Sequence, residues 1–249
     1  MISQNKKKQI QSLKTKKGRT KEGLFLVEGL RCINSFLEHD NNLKELFIAR
    51  SFTSIHKDII NLCEEKNIPH TTISDKIMKA ISDTKTPSGL LGVSKFTTPP
   101  ELNLNAKRWL YLYKISDPGN LGTILRSAAW FNIKNIALSK DSTDPYSPKT
   151  IRSATGAHLY LNIYQNIDYK IYLGHDYFLL GTDQNSDDKI EKSAYKKKIV
   201  LFLGNESEGI KVSIKKKMDK LISIERLGYG ESLNVAIAGS IIMNKIAIK

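Results

Sequence analysis

The sequence has little of what a metal centre or a disulfide framework requires. Its two cysteines, Cys32 and Cys63, lie far apart with no C-x-x-C spacing, and its five histidines are scattered singly. A zinc motif needs thiol and imidazole ligands at short, defined spacings. We therefore expect no metal. Two isolated cysteines in the core also fit a reducing compartment, and we expect a cytoplasmic protein.

Long apolar runs and the common nucleotide motifs are also missing. No stretch approaches the roughly 20 apolar residues of a transmembrane helix, and the N-terminus has no apolar signal-peptide core. Neither G-x-x-x-x-G-K-[ST] nor a strand followed by G-x-G-x-x-G occurs. This excludes the usual phosphate loop and leaves the usual dinucleotide fold unsupported. No serine or cysteine nucleophile has a suitably placed histidine.

Positive charge is in excess. Lys and Arg number 39 against 25 acidic residues, which gives a net charge of +14. A fold does not need this excess, so a nucleic acid is a natural partner, although a Lys-, Ile- and Asn-rich coding bias would produce the same composition. Residues 1–20 contain no acidic group. We interpret them as a basic arm in which Arg19, with the adjoining Lys21, contacts RNA; a targeting segment is the alternative.

Two adjacent prolines, Pro99 and Pro100, divide the chain, because they prevent helix continuation and favour an extended linker. We place the linker at 98–107. Before it, 21–97 shows a compact α/β pattern, with strands at 24–27, 46–49, 70–73 and 90–96 and helices at 30–37, 55–65 and 76–82. After it, 108–249 alternates more cleanly, with strands at 109–115, 133–138, 158–163, 177–182, 199–203 and 221–224 and helices at 119–131, 147–155, 213–218 and 232–248. Near-continuous apolar strands alternating with helices predict an α/β fold with a doubly wound parallel sheet.

Two polar loops lead into helices that carry arginine. Asn120 and Gly122 precede Arg126, and a helix N-terminus with an arginine suits a phosphate group. An Asn120 helix cap and a surface arginine would give the same pattern. Lys149 and Arg152 follow a turn and lie one helical turn apart, which would suit an RNA backbone; an ordinary proline-started helix with solvated bases is the alternative.

Two further loops follow predicted strands. The loop from Gly204 to Gly209 exposes its backbone, which suits an adenine edge, while Glu206 adds a carboxylate; a glycine-rich connection is the alternative. The second is Glu231-Ser232-Leu233-Asn234, before an apolar helix with small residues at 236 and 238–240. Ser232 could simply cap that helix.

Taken in order, three of these loops carry a family resemblance. Asn120-x-Gly122-x3-Arg126, Gly204-Asn205-Glu206-x2-Gly209 and Glu231-Ser232-Leu233-Asn234-Val235 resemble the three motifs of the SpoU (TrmH-like) RNA ribose 2′-O-methyltransferases. The Tyr146-Ser147-Pro148-Lys149 segment with Arg152 is similar to the region between the first two motifs. Leu24-Phe25-Leu26-Val27-Glu28-Gly29 looks like a small substrate-binding domain similar to ribosomal protein L30e.

The resemblance implies a fold and an activity. The C-terminal domain would form a deep trefoil knot, an exception to the rule that chains avoid knots, after a smaller L30e-like α/β domain. The cofactor would be S-adenosylmethionine and the protein a homodimer whose active site is completed across the interface. The substrate would be RNA, with 23S-type rRNA preferred over tRNA; a catalytically silent RNA-binding protein is the competing class.

The resemblance also assigns residues. The catalytic set is Arg126, Asn120, Glu206, Ser232 and Asn234; the cofactor-binding set is Leu203, Gly204, Asn205, Gly209, Ile224, Ser232, Leu233 and Asn234. The RNA-binding set joins Lys149 and Arg152, from the segment between the first two motifs, with Arg19 and Lys21 of the basic arm. A guanidinium is a poor base, so Arg126 would stabilise the developing alkoxide and clamp a phosphate.

The sequence departs from the family pattern in two places. Ile224-Glu225-Arg226 stands where Ile-Pro-Met is usual, and Ser207 where glycine is common. These departures leave the conformation of the cofactor loop open.

Overall fold

The computed structural model describes residues 2–39, 43–55, 57–188 and 198–247. The helices, in chain order, are α1 (Gln4–Ser12), α2 (Lys16–Glu22), α3 (Leu30–His39), α4 (Lys57–Glu65), α5 (Asp75–Ile81), α6 (Pro118–Trp130), α7 (Pro148–Ala154), α8 (Val212–Lys215) and α9 (Val235–Ile246). The strands are β1 (Leu24–Glu28), β2 (Leu43–Ala49), β3 (His70–Ile73), β4 (Leu90–Lys95), β5 (Arg108–Leu112), β6 (Asn135–Leu138), β7 (Asn162–Tyr164), β8 (Phe178–Thr182), β9 (Ile199–Leu203) and β10 (Lys220–Ile222). Short 3-10 helices cover Arg50–Phe52, Ala157–Tyr160 and Tyr169–Tyr172. Residue 248, the predicted end of the last helix, lies outside the described residues, as do 1, 40–42, 56, 189–197 and 249 of the predicted domains.

The chain divides into two compact units. The first consists of Met1–Thr97 with Asp144–Leu159, and the second of Thr98–Thr143 with Tyr160–Lys249. A segment from the middle of the chain therefore completes the N-terminal unit, which no boundary signal in the sequence indicates.

The first unit is built on a four-stranded sheet in the order β1-β4-β2-β3. Strand β4 is antiparallel to both neighbours, and β2 is parallel to β3. Helix α3 buries Cys32, Ile33, Phe36 and Leu37, whose spacing gives one apolar helical face. The two cysteines are buried free thiols, as predicted, and burial raises the pKa of Cys32 to about 12.

The segment predicted as a basic arm forms the packed helices α1 and α2. Ile10 and Leu13 are each 1% exposed and lie in the apolar core of this unit. Arg19 is also buried; its Nε donates to Asp144 Oδ2 at 3.1 Å and one Nη to the Leu13 carbonyl at 2.8 Å. This corrects the interpretation of Arg19 as an RNA contact, because its guanidinium is engaged inside the unit. Lys21 is exposed.

The inserted segment is bound into this unit by aromatic packing. The Tyr146 ring lies 5.1 Å from that of Phe25 and 4.6 Å from that of Phe96, measured between centroids. His158 is 2% exposed, and its Nε2 lies 2.7 Å from the Pro145 carbonyl oxygen. The predicted strand at 158–163 is therefore wrong in its first half, since His158 belongs to a 3-10 helix packed in the first unit and the strand begins only at Asn162.

The second unit contains a six-stranded sheet, all parallel, in the order β10-β8-β9-β5-β6-β7. Strands β9 and β5 lie at its centre, and every residue of β9 is buried, as its apolar sequence predicts. The chain runs from β5 outward to β6 and β7, then returns to β8, β9 and β10 on the other side. The strand order therefore reverses between β5 and β9, and such a switch point opens a crevice at the carboxyl ends of the strands.

Helices α6 and α9 of this unit pack against each other, and the Ser127 and Ser240 hydroxyls lie 2.7 Å apart. The small side chain of Ser240 on α9 permits this close approach. None of the described helices is long and apolar enough to cross a membrane.

Candidate active site at the switch point

Three loops leave the carboxyl edge of the parallel sheet: one after β5, one after β9 and one after β10. They contain the three motifs singled out in the sequence. Glu206, in the loop after β9, is the centre of their hydrogen bonds. Its Oε2 accepts from the Ser116 amide at 3.1 Å and from the Ser116 hydroxyl at 2.8 Å. Its Oε1 accepts from the Asp117 amide and from Asn120 Nδ2, both at 3.1 Å.

These bonds also fix the ionisation of Glu206. Burial, the largest influence, raises the pKa of its carboxyl, but the hydrogen bonds from Asn120, Asp117 and Ser116 together lower it below the ordinary value. The group is therefore a carboxylate near neutral pH. With both oxygens accepting, it braces the loops and is poorly placed to act as a base.

Asn120 extends this network to the third loop. Its Oδ1 accepts from Asn234 Nδ2 at 2.9 Å, and Asn234 Oδ1 in turn accepts from the amides of Ala236 at 2.9 Å and Ile237 at 3.4 Å. One chain of hydrogen bonds thus runs from Glu206 through Asn120 to the N-terminus of α9. The three motifs meet in space.

Both helices at the site are capped by residues other than those considered from sequence. Asp117 caps α6 by accepting from the Asn120 amide at 2.8 Å, and Asn234 caps α9. Pro118 occupies the first helical position of α6, so the cap falls on the residue before it. Asn120 and Ser232 are not caps, which leaves the Asn120 side chain available to link the loops.

The loop from Gly204 to Gly209 is closed by its own backbone. The amide of each of Asn205 and Gly209 donates to the carbonyl of the other, at 3.1 and 3.0 Å. Asn205 Oδ1 accepts from the Ser207 and Glu208 amides at 2.9 and 3.1 Å. Gly209 has φ +63°, and a Cβ on Gly204 would lie 2.3 Å from the Gly209 carbonyl carbon. The tight turn thus needs both glycines, while Ser207 participates through its amide and its exposed side chain does not disturb the turn.

The loop after β10 carries unpaired peptide groups. Within the described residues, neither the Ile224 amide nor the Leu233 amide has a hydrogen-bond partner. Free peptide groups beside a tight glycine turn fit the adenine edge of a nucleoside cofactor, so the residues present suit the group that the resemblance implies. Ser232 is exposed beside them.

Arg126 lies on the third turn of α6 with its side chain exposed. It follows Asn120 by six residues, roughly 9 Å along the helix axis. No carboxylate or carbonyl of the described chain accepts a hydrogen bond from it. Its guanidinium is therefore available to an anion.

The predicted RNA-binding residues of α7 have different surroundings. Lys149 is exposed. Arg152 donates from Nη1 to Glu28 Oε2 at 2.9 Å and from Nη2 to Asp83 Oδ2 at 3.1 Å. Because this guanidinium already binds two carboxylates of its own unit, the structure corrects Arg152 from an RNA contact to an internal ion-pair partner.

Three residues that help to build the site, Ser116, Asp117 and Lys114, were not among the site residues predicted from the sequence. Ser116 and Asp117 hold Glu206, and the Lys114 carbonyl accepts from Asn205 Nδ2 at 2.8 Å. The Asp-Pro pair at the start of α6 is a recognisable cap signal. The contact of Ser116 with Glu206 spans 90 positions and leaves no local signal.

The fold and the site together define a class of protein. It is an α/β protein with a parallel sheet and, at the switch point of that sheet, a candidate ligand site formed largely by backbone groups. Residues 107–244 match the SpoU rRNA Methylase family, and residues 4–92 match the MRM3-like substrate binding domain. The chain therefore belongs to the SpoU rRNA methylase family, and its N-terminal part is a substrate-binding domain of that kind.

Similar proteins span nearly the whole chain. The 23S rRNA (guanosine(2553)-2'-O)-methyltransferase RlmP of Bacillus subtilis is 29% identical over 249 residues, 96% of this chain and 94% of that protein. The AdoMet-bound rRNA methyltransferase of Sinorhizobium meliloti is 23% identical, with a TM-score of 0.81 over 99% of this chain and 96% of its own. AviRb of Streptomyces viridochromogenes, in complex with AdoMet, is 22% identical, with a TM-score of 0.83 over 98% of this chain and 97% of its own. Because these two structures are only 23% and 22% identical to this chain, their similarity confirms its fold alone.

Proposed function

We propose that this protein is an S-adenosylmethionine-dependent RNA 2′-O-ribose methyltransferase that acts on 23S-type rRNA. The observation that carries the proposal is the hydrogen-bond chain Glu206–Asn120–Asn234, which brings together the three family motifs. Arg126, on the same helix as Asn120, has no hydrogen-bond acceptor among the described residues. The rRNA substrate is supported by the name of the Bacillus subtilis relative, and the cofactor by the AdoMet-bound structural relatives.

The cofactor site is assigned to the backbone of the loops after β9 and β10. The residues are Leu203, Gly204, Asn205, Gly209, Ile224, Ser232, Leu233 and Asn234. S-adenosylmethionine would supply a methyl group on a positively charged sulfur. The amides of Ile224 and Leu233, which have no hydrogen-bond partner within the described part of the chain, would bind the adenine edge, while the closed Asn205–Gly209 turn would limit the space beside it.

Arg126 is assigned to the charge that develops on the ribose. The ribose 2′-hydroxyl would lose its proton to solvent as it attacks the methyl carbon, and a fixed guanidinium would stabilise the negative charge that this deprotonation leaves on the oxygen. The new oxygen–carbon bond forms as the carbon–sulfur bond breaks, and the electron pair of that bond stays on the sulfur. The same guanidinium can bind the neighbouring phosphate, which would hold the 2′-hydroxyl in line for attack on the methyl carbon. A guanidinium does not deprotonate and cannot serve as the base.

The other polar residues hold this geometry. Asn120 and Asn234 fix the mouth of α9 against α6, and Glu206 fixes Asn120 from the other side. Ser232, exposed next to them, is assigned to the ribose. Lys149 and Lys21, both exposed, are assigned to the RNA backbone.

We further propose that the protein works as a homodimer with a knotted catalytic domain, as the family resemblance implies. The dimer is supported by an exposed apolar face on the paired helices α6 and α9. Trp130 is 84% exposed, Ile237 53% and Ile241 36%. Arg126 lies one helical turn before Trp130, so a partner on this face would approach the reacting groups.

The test is a map of ribose methylations in rRNA and tRNA from a deletion strain and its parent, with methylation restored in vitro by the purified protein. We expect one 2′-O-methyl group to be lost from 23S rRNA and restored in vitro. Loss from a tRNA instead would overturn the substrate but keep the chemistry. An unchanged map, with no S-adenosylmethionine binding by calorimetry, would identify a silent RNA-binding protein.

A further inference from the structure

The loop between β10 and α9 holds two large side chains almost entirely in water. Leu227 is 90% exposed and Tyr229 is 107% exposed, the highest values among the large hydrophobic residues described. Both lie in the part of the loop that follows the departure from the family pattern at Glu225-Arg226. Scattered apolar residues on a surface need no explanation, but here two of them share a loop that borders the site.

The shape of the loop presents Tyr229 outward. Arg226 Nη1 donates to the Gly230 carbonyl at 2.8 Å, which closes a turn around Leu227, Gly228 and Tyr229. Gly230 has φ +128°, a conformation that side-chain-bearing residues rarely adopt. The turn is therefore braced, and the phenol ring lies at its tip with no described residue packed over it.

The position of the loop ties it to the reacting groups. The turn begins at the carboxyl edge of the sheet and leads into Asn234, which is bonded to Asn120 at 2.9 Å. Tyr229 is five residues before Asn234, so the Cα atoms are at most about 18 Å apart even in a fully extended chain. The ring is therefore tied to the same border of the site as Asn120, which begins the helix that carries Arg126.

We propose that Tyr229 stacks on a nucleobase of the RNA substrate next to the methylated nucleotide; this inference rests on the proposed function. A 2′-hydroxyl presented for in-line attack requires its nucleotide to leave the regular stack, and aromatic side chains commonly replace stacking that single-stranded RNA loses. Arg226, three residues before Tyr229 in the same turn, keeps N–H groups that can contact the phosphates of the same strand.

A second copy of the chain is the competing occupant of this loop. The exposed apolar residues of α9, Ile237 and Ile241, lie one turn apart and form a stripe on the helix. Tyr229 precedes the helix cap and is outside that stripe. A turn that carries both an exposed aromatic ring and an arginine matches RNA better than it matches an apolar helix face.

The test compares the full-length protein with Tyr229→Ala and Tyr229→Phe, and with Tyr160→Ala as a control for loss of an exposed tyrosine elsewhere. We measure methyl transfer to rRNA from the deletion strain, cofactor affinity by calorimetry, subunit mass by light scattering, and ultraviolet crosslinks to rRNA by mass spectrometry. Removing one base stack should lower kcat/KM for RNA by about 5- to 100-fold. Tyr229→Phe should keep most of the activity, because it keeps the ring.

The crosslink is the readout that does not depend on turnover. We expect a nucleotide attached to Tyr229 in the wild type and no crosslink in the loop of Tyr229→Ala. Unchanged kcat/KM in Tyr229→Ala, or an effect equal to that of Tyr160→Ala, would overturn the inference. So would a loss of dimer mass or of cofactor affinity in Tyr229→Ala, which would assign the loop to the second copy or to the cofactor. If the wild type itself transfers no methyl group, the proposed function fails instead.

Discussion

Helices α6 and α7 begin in the same way, but the arginines that they carry have different surroundings. Each has proline in its first turn and a side chain that caps its N-terminus, Asp117 for α6 and Ser147 for α7. Arg126 on α6 is exposed and binds no carboxylate of the described chain. Arg152 on α7 is held between Glu28 and Asp83. Both patterns suggest an anion site, but only Arg126 has its charge available.

The difference shows which of the two arginines can bind an anion from outside the protein, namely the one whose guanidinium is not paired with carboxylates of its own unit. A guanidinium between two carboxylates contributes no net positive charge to RNA, and releasing it would leave Glu28, which is 6% exposed, without its partner. Breaking such a pair costs more than the pair contributes to stability. Arg152 therefore acts on the fold of its own unit, whereas Arg126 is assigned to chemistry.

The largest expected effect is on turnover in Arg126→Ala. Loss of a fixed donor to a developing oxyanion lowers rates by about 100- to 1000-fold, so we expect a fall of that size in kcat. Cofactor affinity, measured by calorimetry, should change less than about twofold, because the cofactor is assigned to backbone groups of other loops. Arg152→Ala is the matched control and should keep kcat at low temperature. Equal losses in the two variants would remove the distinction between the helices.

The next effect is on the stability of the first unit in Glu28→Ala. This variant leaves Arg152 without its buried partner, and since Arg152 is 28% exposed we expect a loss of about 2–3 kcal/mol. Hydrogen exchange of peptides that cover β1, followed by mass spectrometry, measures opening of this unit in the whole protein. Glu28→Gln, which keeps an acceptor oxygen for Arg152 Nη1, should lose less protection than Glu28→Ala. No change in exchange in Glu28→Ala would mean that the pair is only a surface contact.

These two arginines also show what sequence reasoning reaches. The α/β alternation, the parallel sheet and the motif loops could be predicted because they depend on neighbouring residues: apolar runs, glycines and polar strand ends. The pairing of Arg19 with Asp144 spans 125 positions, and that of Arg152 with Glu28 spans 124. No local pattern encodes such pairs, so both arginines looked like free cations.

The same limit applies within the site. Asn120, Glu206 and Asn234 could be selected by resemblance, but their mutual hydrogen bonds depend on the strand order, which places β5 beside β9. From the sequence Asn120 was considered as the cap of α6, although Asp117 directly before Pro118 is the local signal that the structure bears out. The strand predicted to start at His158 failed because that residue is buried in the other unit by contacts with Tyr146 and Pro145.

A smaller effect is expected in Glu206→Gln, which tests whether the network holds the α6 side of the site. An amide offers one acceptor oxygen where the carboxylate offers two, so the bonds from Ser116 or from Asp117 and Asn120 must be lost. Hydrogen bonds to a charged group contribute about 1.5–3 kcal/mol, and we expect kcat/KM to fall by about tenfold or more. Glu208→Gln is the matched control, because Glu208 is exposed in the same loop and only its amide is used. A similar loss in both variants would point to general damage of the turn.

The smallest effect concerns His158, which holds the α7 segment in the first unit. Its Nε2 faces the Pro145 carbonyl and must carry the proton there, while its Nδ1 has no hydrogen-bond partner in the described chain. Burial lowers the pKa of His158 to about 4, although the Pro145 carbonyl and the Asp144 carboxylate oppose the shift. A second proton would be placed on a buried nitrogen without an acceptor.

The sign of the pH dependence follows from this. The unfolded chain protonates His158 near pH 6.5, and the folded chain only near pH 4, so the unfolded state binds more protons in between. Stability should therefore fall as the pH drops from about 6.5 to about 4 and level off below. Between pH 7 and pH 6 this one group should remove about 0.7 kcal/mol. The control is His158→Gln, whose side-chain amide can still donate to the Pro145 carbonyl but does not titrate. We measure hydrogen-exchange protection of both proteins at each pH and subtract the variant's value from that of the wild type. The pH dependence that comes from the carboxylates is common to both proteins and is removed by the subtraction. A difference that is flat with pH would show that His158 has the same pKa in the folded and unfolded chains, so that burial does not penalise its charged form.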